Sequence, residues 1–406
     1  MTMPSKTSRR WPRVRLKYHV RVVSGYPFDS TKFNFIEGTR LVRIRDLLDQ
    51  NSEVLLTSET VPSAEIQNGD LLIGMDGDFN LSEWQNGPAL LNQRVCKLVP
   101  NATAELCFLR YAIPRHLKTI NDVTYSTTVK HLSTFDVGNI SLGFPSLPEQ
   151  RRIAAYLDEQ TAKIDRLMEL RRRQMALLKE QRAALIQQAV TRGLNPNAPM
   201  KDSGLPWLGE IPAHWEIIQL RRIIKPGTSI TYGIVQAGPY IEGGIPYIRT
   251  SDMSGDALPL EGYLCTTPEI DRSYRRSKVR EGDVVVAIRA TVGKALPVPM
   301  ELNGANLTQG TAKVSPGTRV ITGFLLVALQ CESARQQFAS LAKGTTFLEI
   351  TLDMLRRFTI PLPPLNEQSE IVDFINVESA EIDSLHTTYA RQLALLAEYR
   401  TSLIHE

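Results

Sequence analysis

The strongest constraint on this chain is a long stretch that it contains twice. Leu147-Pro-Glu149-Gln150 onward to Ile186 returns as Leu365-Asn-Glu367-Gln368 onward to Ile404, at a constant offset of 218 residues with no gap. The matches include Glu149/Glu367, Gln150/Gln368, Ile153/Ile371, Asp165/Asp383, Gln174/Gln392, Arg182/Arg400 and Ile186/Ile404. Each copy carries a row of seam-compatible residues every seven positions. The first has Leu157, Ile164, Arg171, Leu178 and Leu185, and the second Ile375, Ile382, Tyr389, Leu396 and Leu403. A companion row is expected three residues further on, at Gln160, Leu167, Gln174 and Gln181, and at Glu378, Leu385, Gln392 and Tyr399. Sustained seven-residue spacing with charge elsewhere describes a coiled-coil seam. Ser146 with Glu149 three residues later is a capping-box start. Pro145, Pro361, Pro363 and Pro364 stop any upstream helix from running in, and Gly193 with Asn195-Pro196 ends the first helix.

The doubling reaches beyond the helices. Trp11 and Ile44-Arg45 match Trp215 and Ile248-Arg249 at an offset of 204, Gly69-Asp70 matches Gly282-Asp283 at 213, and Thr127-Thr128 matches Thr345-Thr346 at 218. A period above 200 means a duplicated domain, whereas a solenoid repeats every 20 to 50 residues. At 406 residues the chain is also too long for one ordinary core. The expected fold is therefore α+β. Two mixed α/β bodies are separated by two long helices packed as an antiparallel coiled coil, in an internal pseudo-twofold repeat. The expected divisions are 1–145 for the first body, 146–192 for its helix, 193–214 for a linker, 215–362 for the second body and 363–406 for the second helix. Antiparallel packing would place the bodies at opposite ends of helices roughly 60 Å long, at ~1.5 Å rise per residue.

Composition narrows the class of partner. A net charge of +4 and pI near 8.8 lean mildly towards polyanions. The first 21 residues hold seven basic residues and no acid, and Arg272, Arg275, Arg276, Lys278 and Arg280 form the densest basic run of the second body. Cys96, Cys107, Cys265 and Cys331 lack metal-site spacing and fit reduced thiols in a cytoplasmic protein. No apolar run is long enough to span a membrane. The chain has no phosphate loop, no dinucleotide fingerprint, no His-Glu-x-x-His and no nucleophile elbow. It also lacks the Asn- or Asp-Pro-Pro-aromatic tetrapeptide of amino-methyltransferases. The expectation is a binding protein with no catalytic residue and no metal site.

Polar and basic residues that recur in both bodies are the candidates for nucleic-acid contact. They are Arg45 in the first body, and Arg249, Thr250 and Ser251 in the second. A Ser/Thr cluster also precedes each helix: Ser126, Thr127, Thr128 and Lys130 in one, and Lys343, Thr345 and Thr346 in the other. Arg275 and Arg276 of the basic run complete the set. Arginine reads guanine through two parallel hydrogen bonds, while Ser and Thr reach bases or phosphates. Against these stand blander roles, a solvated loop or a strand-end arginine. Trp11 and Trp215 are expected to anchor the two cores. Two other classes stay open: a DNA-modifying enzyme with unfamiliar motifs, and a coiled-coil scaffold that binds only proteins.

The stretches Pro148-Glu149-Gln150-Arg-Arg-Ile153, Thr161-Ala-Lys-Ile164-Asp165, Pro361-Leu-Pro-Pro-Leu-Asn-Glu367-Gln368 and Gly204-Leu-Pro-Trp-Leu-Gly-Glu-Ile-Pro-Ala-His-Trp215 resemble the specificity subunit of Type I restriction-modification systems. The resemblance covers nearly the whole chain. It implies that each body reads one half of a split double-stranded DNA target. The helices would act as a ruler and as a docking surface for two methyltransferase subunits, with Glu149, Gln150, Glu367 and Gln368 as candidate docking residues. A translocating restriction subunit would join them. S-adenosylmethionine, ATP and Mg²⁺ would belong to those partners.

Overall fold

A computed structural model describes residues 11–49, 55–123, 130–342 and 348–405. The chain divides into two compact units, residues 1–170 with 392–406, and residues 171–391.

The first unit holds the first body. Its larger sheet orders the strands Val20–Ser24, Val95–Pro100, Leu71–Gly74 and Leu81–Glu83, all antiparallel. A second sheet contains Thr39–Val42, which runs parallel to Ala89–Leu91. Leu71–Gly74 is buried along its whole length and packs into both sheets' cores, Leu71 and Ile73 on one side and Leu72 on the other. This alternation is what a strand between two apolar layers requires.

The second body repeats the plan inside its own unit. Its central sheet orders Thr231–Tyr232, Thr311–Val314, Val284–Ala287 and Ala295–Pro297, and Ile245–Ile248 runs parallel to Asn306–Leu307. Val284 and Val286 face one core while Val285 and Ala287 face another. The turn feeding each central strand is built alike. Gly69 and Gly282 have φ of 90° and 82°, and the next residue's carboxylate caps a backbone amide: Asp70 accepts from Gln67 at 2.8 Å and Asp283 from Arg280 at 2.9 Å.

Two long helices follow the bodies, Leu147–Arg192 and Leu365–His405. The expected row Leu157, Ile164, Arg171, Leu178 and Leu185 is buried or half-buried throughout, as is its counterpart from Ile375 to Leu403. The companion row is only partly the expected one: Gln160, Gln174, Glu378 and Gln392 are half-buried, but the other four positions are exposed. Leu167 is 46% exposed, and Leu385 and Tyr399 are also exposed. The row that is buried or half-buried throughout lies four residues on, at Thr161, Met168, Met175, Arg182 and Ala189, and at Ser379, His386, Leu393 and Arg400. A seam alternates steps of three and four, so the two choices start from the same row and diverge. The apolar Leu167 and Leu385 favoured the wrong one.

The repeat is written directly into the ion pairs of these helices. In the second unit Arg182 donates to Asp383 at 2.9 Å, and in the first unit Arg400 donates to Asp165 at 2.9 Å. Arg182 matches Arg400, and Asp165 matches Asp383, at the offset of 218. Each arginine therefore pairs with the aspartate of the other copy, as an isologous contact demands. Arg171 also lies over the Tyr389 ring at 4.9 Å, so in the second unit the two helix segments run antiparallel.

Candidate nucleic-acid interface

In each body the strands that run parallel end together, and the chain leaves both through the same construction. After Val42, Arg43 donates its amide to Asp46 at 2.7 Å and its Nε to the same carboxylate at 3.1 Å. After Ile248, Arg249 donates its amide to Asp252 at 2.8 Å, its Nε at 3.1 Å and its Nη2 at 2.7 Å. The neighbouring strand end is held equally: Asn92 donates to the Val42 carbonyl, and Thr308 to that of Ile248, each at 3.1 Å. A glycine sits against this crossing in both, because a Cβ on Gly25 or Gly233 would lie about 2 Å from a backbone carbonyl oxygen of the partner strand, 2.0 Å and 1.9 Å respectively.

This register corrects the sequence match. Arg249 corresponds to Arg43, with Asp252 corresponding to Asp46, so Arg45 corresponds to Ser251. Arg45 is exposed on the short helix Ile44–Leu48. The reading of Arg249 changes with it. Its guanidinium fork is held by Asp252, which pushes its pKa up, and the same pair recurs in the other body. A fork held bidentately by a carboxylate is not available for a guanine without breaking that pair. Arg249 is thus a turn-setting residue that presents Thr250 and Ser251, half-buried and exposed respectively.

The same end of the second body gathers Thr250, Arg289 and Gly310. A Cβ on Gly310 would meet Thr250 Oγ1 at 2.5 Å and Arg289 Cβ at 3.9 Å. Arg289 pairs with Glu349 at 3.0 Å. The first body places Asp76 there, taken by His131 at 2.7 Å and Arg94 at 3.5 Å. Both pairs bridge the central strand's exit to the segment just after a Ser/Thr cluster. In both, the second residue past the strand's last buried side chain takes positive φ, Gly77 at 77° and Ala290 at 58°. Sequence reasoning missed Asp76, Arg94, Arg289 and Glu349; the signal for Asp76 and Arg289 was their place just past the most apolar strand in each body, and nothing local marked Arg94 or Glu349.

Lys130 is half-buried and donates to the Asn121 carbonyl at 2.5 Å and its side-chain oxygen at 3.0 Å, so it closes its own loop. Ser126, Thr127, Thr128, Lys343, Thr345 and Thr346 lie outside the described residues. Arg275 and Arg276 are exposed but sit away from this end, before the Asp283 turn at the start of Val284–Ala287.

The glutamines assigned to partner docking are interior. Gln150 is 0% exposed, accepts from the Glu105 amide at 2.9 Å, and donates to the carbonyls of Thr103 and Pro145, each at 3.0 Å. Gln368, also 0% exposed, accepts from Ile321 at 2.9 Å and donates to Arg319 at 3.0 Å and Pro363 at 2.8 Å. Each is a clamp fastening the first turn of a long helix to its own body, with no group left for a partner. Glu149 caps Ser146, its carboxylate taking Ser146 Oγ at 3.1 Å. Glu367 has Pro364 at the corresponding position, with neither amide nor hydroxyl to receive. It instead accepts from Trp215 Nε1 at 2.9 Å and pairs with His214 at 2.7 Å. Trp215 is buried in its core as expected, whereas Trp11 is 39% exposed and anchors none.

Among the described residues no group of three His, Cys, Asp or Glu could hold a metal ion, and no helix is long and apolar enough to cross a membrane. The four cysteines are free, and burial pushes the Cys96 thiol up to about 12. Two similar bodies, each presenting a rigid strand-end platform and each leading into a long helix, define a duplicated two-site recognition protein. The model of the Type I restriction modification DNA specificity domain matches residues 24–175 and again residues 223–391. The chain belongs to that family. It is 32% identical over 401 residues to the specificity subunit of the Type I restriction enzyme EcoBI of Escherichia coli, covering 97% of this chain and 84% of that one. A similar subunit, MjaVIII of Methanocaldococcus jannaschii, is 21% identical over 360 residues, covering 86% and 78%. Among solved structures, a chain from a study of complex assembly and conformational transition in the type I R-M system aligns with a TM-score of 0.74 at 21% identity, over 99% of this chain and 98% of that one. The HsdS subunit of Thermoanaerobacter tengcongensis aligns at 0.58 and 20%, over 99% and 97%. These structures share the fold.

Proposed function

We propose that this protein is the non-catalytic DNA-specificity subunit of a Type I restriction-modification enzyme, and that it reads a bipartite double-stranded target. Each body reads one half through the end where its parallel strands finish. Ser251 and Arg45 are exposed on that end and Thr250 is half-buried there, and the Ser126–Thr128 and Lys343–Thr346 clusters stand next to it in sequence. Two methyltransferase subunits dock on the long helices, and a restriction subunit completes the assembly in the cytoplasm. S-adenosylmethionine, ATP and Mg²⁺ belong to those partners.

The observation that carries the reading is the recurrence of one platform in both bodies, an Arg–Asp lock after a buried strand with different side chains displayed from it. A shared scaffold with divergent display is what two readers of different half-sites need. Long-read methylation mapping of the source genome with and without the gene tests it. Loss of one split motif, two short specified segments around a fixed gap, is expected. If every methylated motif persists while the methyltransferase is expressed, the reading fails.

A further inference from the structure

The second body has a basic concavity at the end of its sheet opposite the platform. Val284–Ala287 pairs Val284 with Val314 and Ala287 with Thr311. The platform lies beyond Ala287, and the concavity lies before Val284, roughly 10 Å away at ~3.3 Å per residue. It has a volume of about 840 Å³ and is lined by Lys225, Arg275, Arg276, Lys278, Arg280 and Lys313, against the carboxylates of Glu281 and Asp283. Lys278 is paired with Asp271 at 2.7 Å, and Lys313 donates to the Lys278 carbonyl at 2.7 Å. Arg275, Arg276, Arg280 and Lys225 are exposed and make no ion pair among the described residues.

The fold does not require this charge. In the first body Lys97 reaches the Glu65 carbonyl as Lys313 reaches that of Lys278, and Gly69-Asp70 forms the turn of Gly282-Asp283. That register puts Pro62, Ser63, Glu65 and Gln67 where the second body has Arg275, Arg276, Lys278 and Arg280. The backbone is the same and the cations are absent. Unneutralised like charges held together repel one another, so a cluster found in only one of two equivalent scaffolds points to an anion that offsets the repulsion. Three of the unpaired cations are arginines, whose planar forks match phosphate oxygens in pairs. The concavity is wider than a single phosphate and lies in the size range of ligand clefts.

We propose that this concavity binds a run of neighbouring phosphate groups, held by Arg275, Arg276 and Arg280. The phosphates belong either to nucleic-acid backbone outside the target or to a free oligophosphate such as a nucleotide. The site is separate from target reading and adds no sequence information.

The test uses the full chain, and its complex with methyltransferase subunits, with the triple variant Arg275→Gln, Arg276→Gln, Arg280→Gln. All three side chains are exposed, so the thermal midpoint should be unchanged; Arg276→Glu alone serves as a second variant. Titration of the full chain with sodium tripolyphosphate should show binding that falls at least tenfold in the triple variant. Duplexes trimmed to the target and duplexes with long flanks are then compared across salt. Lost phosphate contacts lower the salt slope by about 0.9 each. If the flanked duplex loses affinity and slope while the trimmed one does not, backbone is the source. If only tripolyphosphate binding falls, a free oligophosphate is the source. Equal tripolyphosphate binding by wild type and both variants, or none by wild type, overturns the proposal. Neither result bears on whether the genome loses a methylated motif.

Discussion

The glutamine clamps make a prediction that separates an interior role from a docking role. Replacing Gln368 with Leu keeps the approximate volume but removes three hydrogen bonds at a site with no solvent exposure, those to the Ile321 amide and to the Arg319 and Pro363 carbonyls. A buried polar group left without a partner costs about 1–3 kcal/mol. The Ile321 amide bears the full penalty, because it has no second way to bond. The carbonyls retain another lone pair and lie where the helix begins, so the total should come to about 3 kcal/mol. Gln368→Glu should cost no less at neutral pH, since a carboxylate keeps the acceptor but loses both donors and buries a charge.

Native-state hydrogen exchange is the suitable assay, because a chain of two units need not unfold in one step. Exchange of the Ile321 amide should accelerate by about two orders of magnitude in Gln368→Leu, given ~1.4 kcal/mol per factor of ten. The Glu105 amide, bonded to Gln150 in the other body, should be unaffected, and Gln150→Leu should reverse the pattern. A docking residue would behave differently. The variant would exchange like wild type and lose only its affinity for the methyltransferase subunit. Wild-type protection at Ile321 in Gln368→Leu would refute the clamp.

Three further outcomes follow from particular contacts. Ala290 holds φ of 58° where the first body uses Gly77, so Ala290→Gly should stabilise by about 0.5–1 kcal/mol and Gly77→Ala should cost about as much, read from urea midpoints. In the pairs Arg182–Asp383 and Arg400–Asp165 the arginines are half-buried and the aspartates exposed, so water screens both and Arg182→Asp or Asp383→Arg should each cost under about 1 kcal/mol. The double swap should recover most of that loss at low salt, and a double-mutant cycle showing no coupling would refute the pairing. Burial pushes the Lys313 pKa below its ordinary 10.5, so the unfolded chain binds more protons over the interval between the two values. Stability should therefore rise with pH through that interval relative to Lys313→Met, and a fall would contradict the sign.

Much of the fold was legible because its signals are local and doubled. The helix boundaries follow from Ser146-x-x-Glu149, the prolines and Gly193, and the aspartate turns from Gly69-Asp70 and Gly282-Asp283. The seam's second row was not legible. Its residues Thr161, Arg182, Ser379 and Arg400 are polar: Arg182 and Arg400 meet aspartates of the other helix copy, and Thr161 returns its hydroxyl to the Leu157 carbonyl of its own helix, partners that no periodicity records. The interior placement of Gln150 and Gln368 was hidden for a related reason: a polar residue shared by both copies looks like a surface requirement, but its partners are carbonyls and amides up to 49 residues away in sequence. The true counterpart of Arg249 was hidden by register. The two-residue slip that separates Ile44-Arg45 from the true counterpart Arg43-x-x-Asp46 appears only when the parallel strand ends are superposed.

These corrections share one physical pattern. Among the polar residues that recur in both bodies, Gln150 and Gln368, Asp46 and Asp252, and Asp70 and Asp283 each accept from a backbone amide, while Arg43 and Arg249 hold the Asp46 and Asp252 carboxylates in place. Repetition marks the scaffold because the same main-chain geometry leaves the same amides and carbonyls unpaired in each copy, and each must be met. The positions that differ between copies carry no such obligation: Ile44 against Thr250, Arg45 against Ser251, Arg94 against Gly310, Pro62 against Arg275. Recognition of two unlike half-sites requires difference at the surface and identity beneath it. In a duplicated reader of this kind, candidates for specificity should therefore be sought where the two copies disagree on a shared backbone, and Thr250, Ser251 and Arg45 meet that criterion while Arg249 does not.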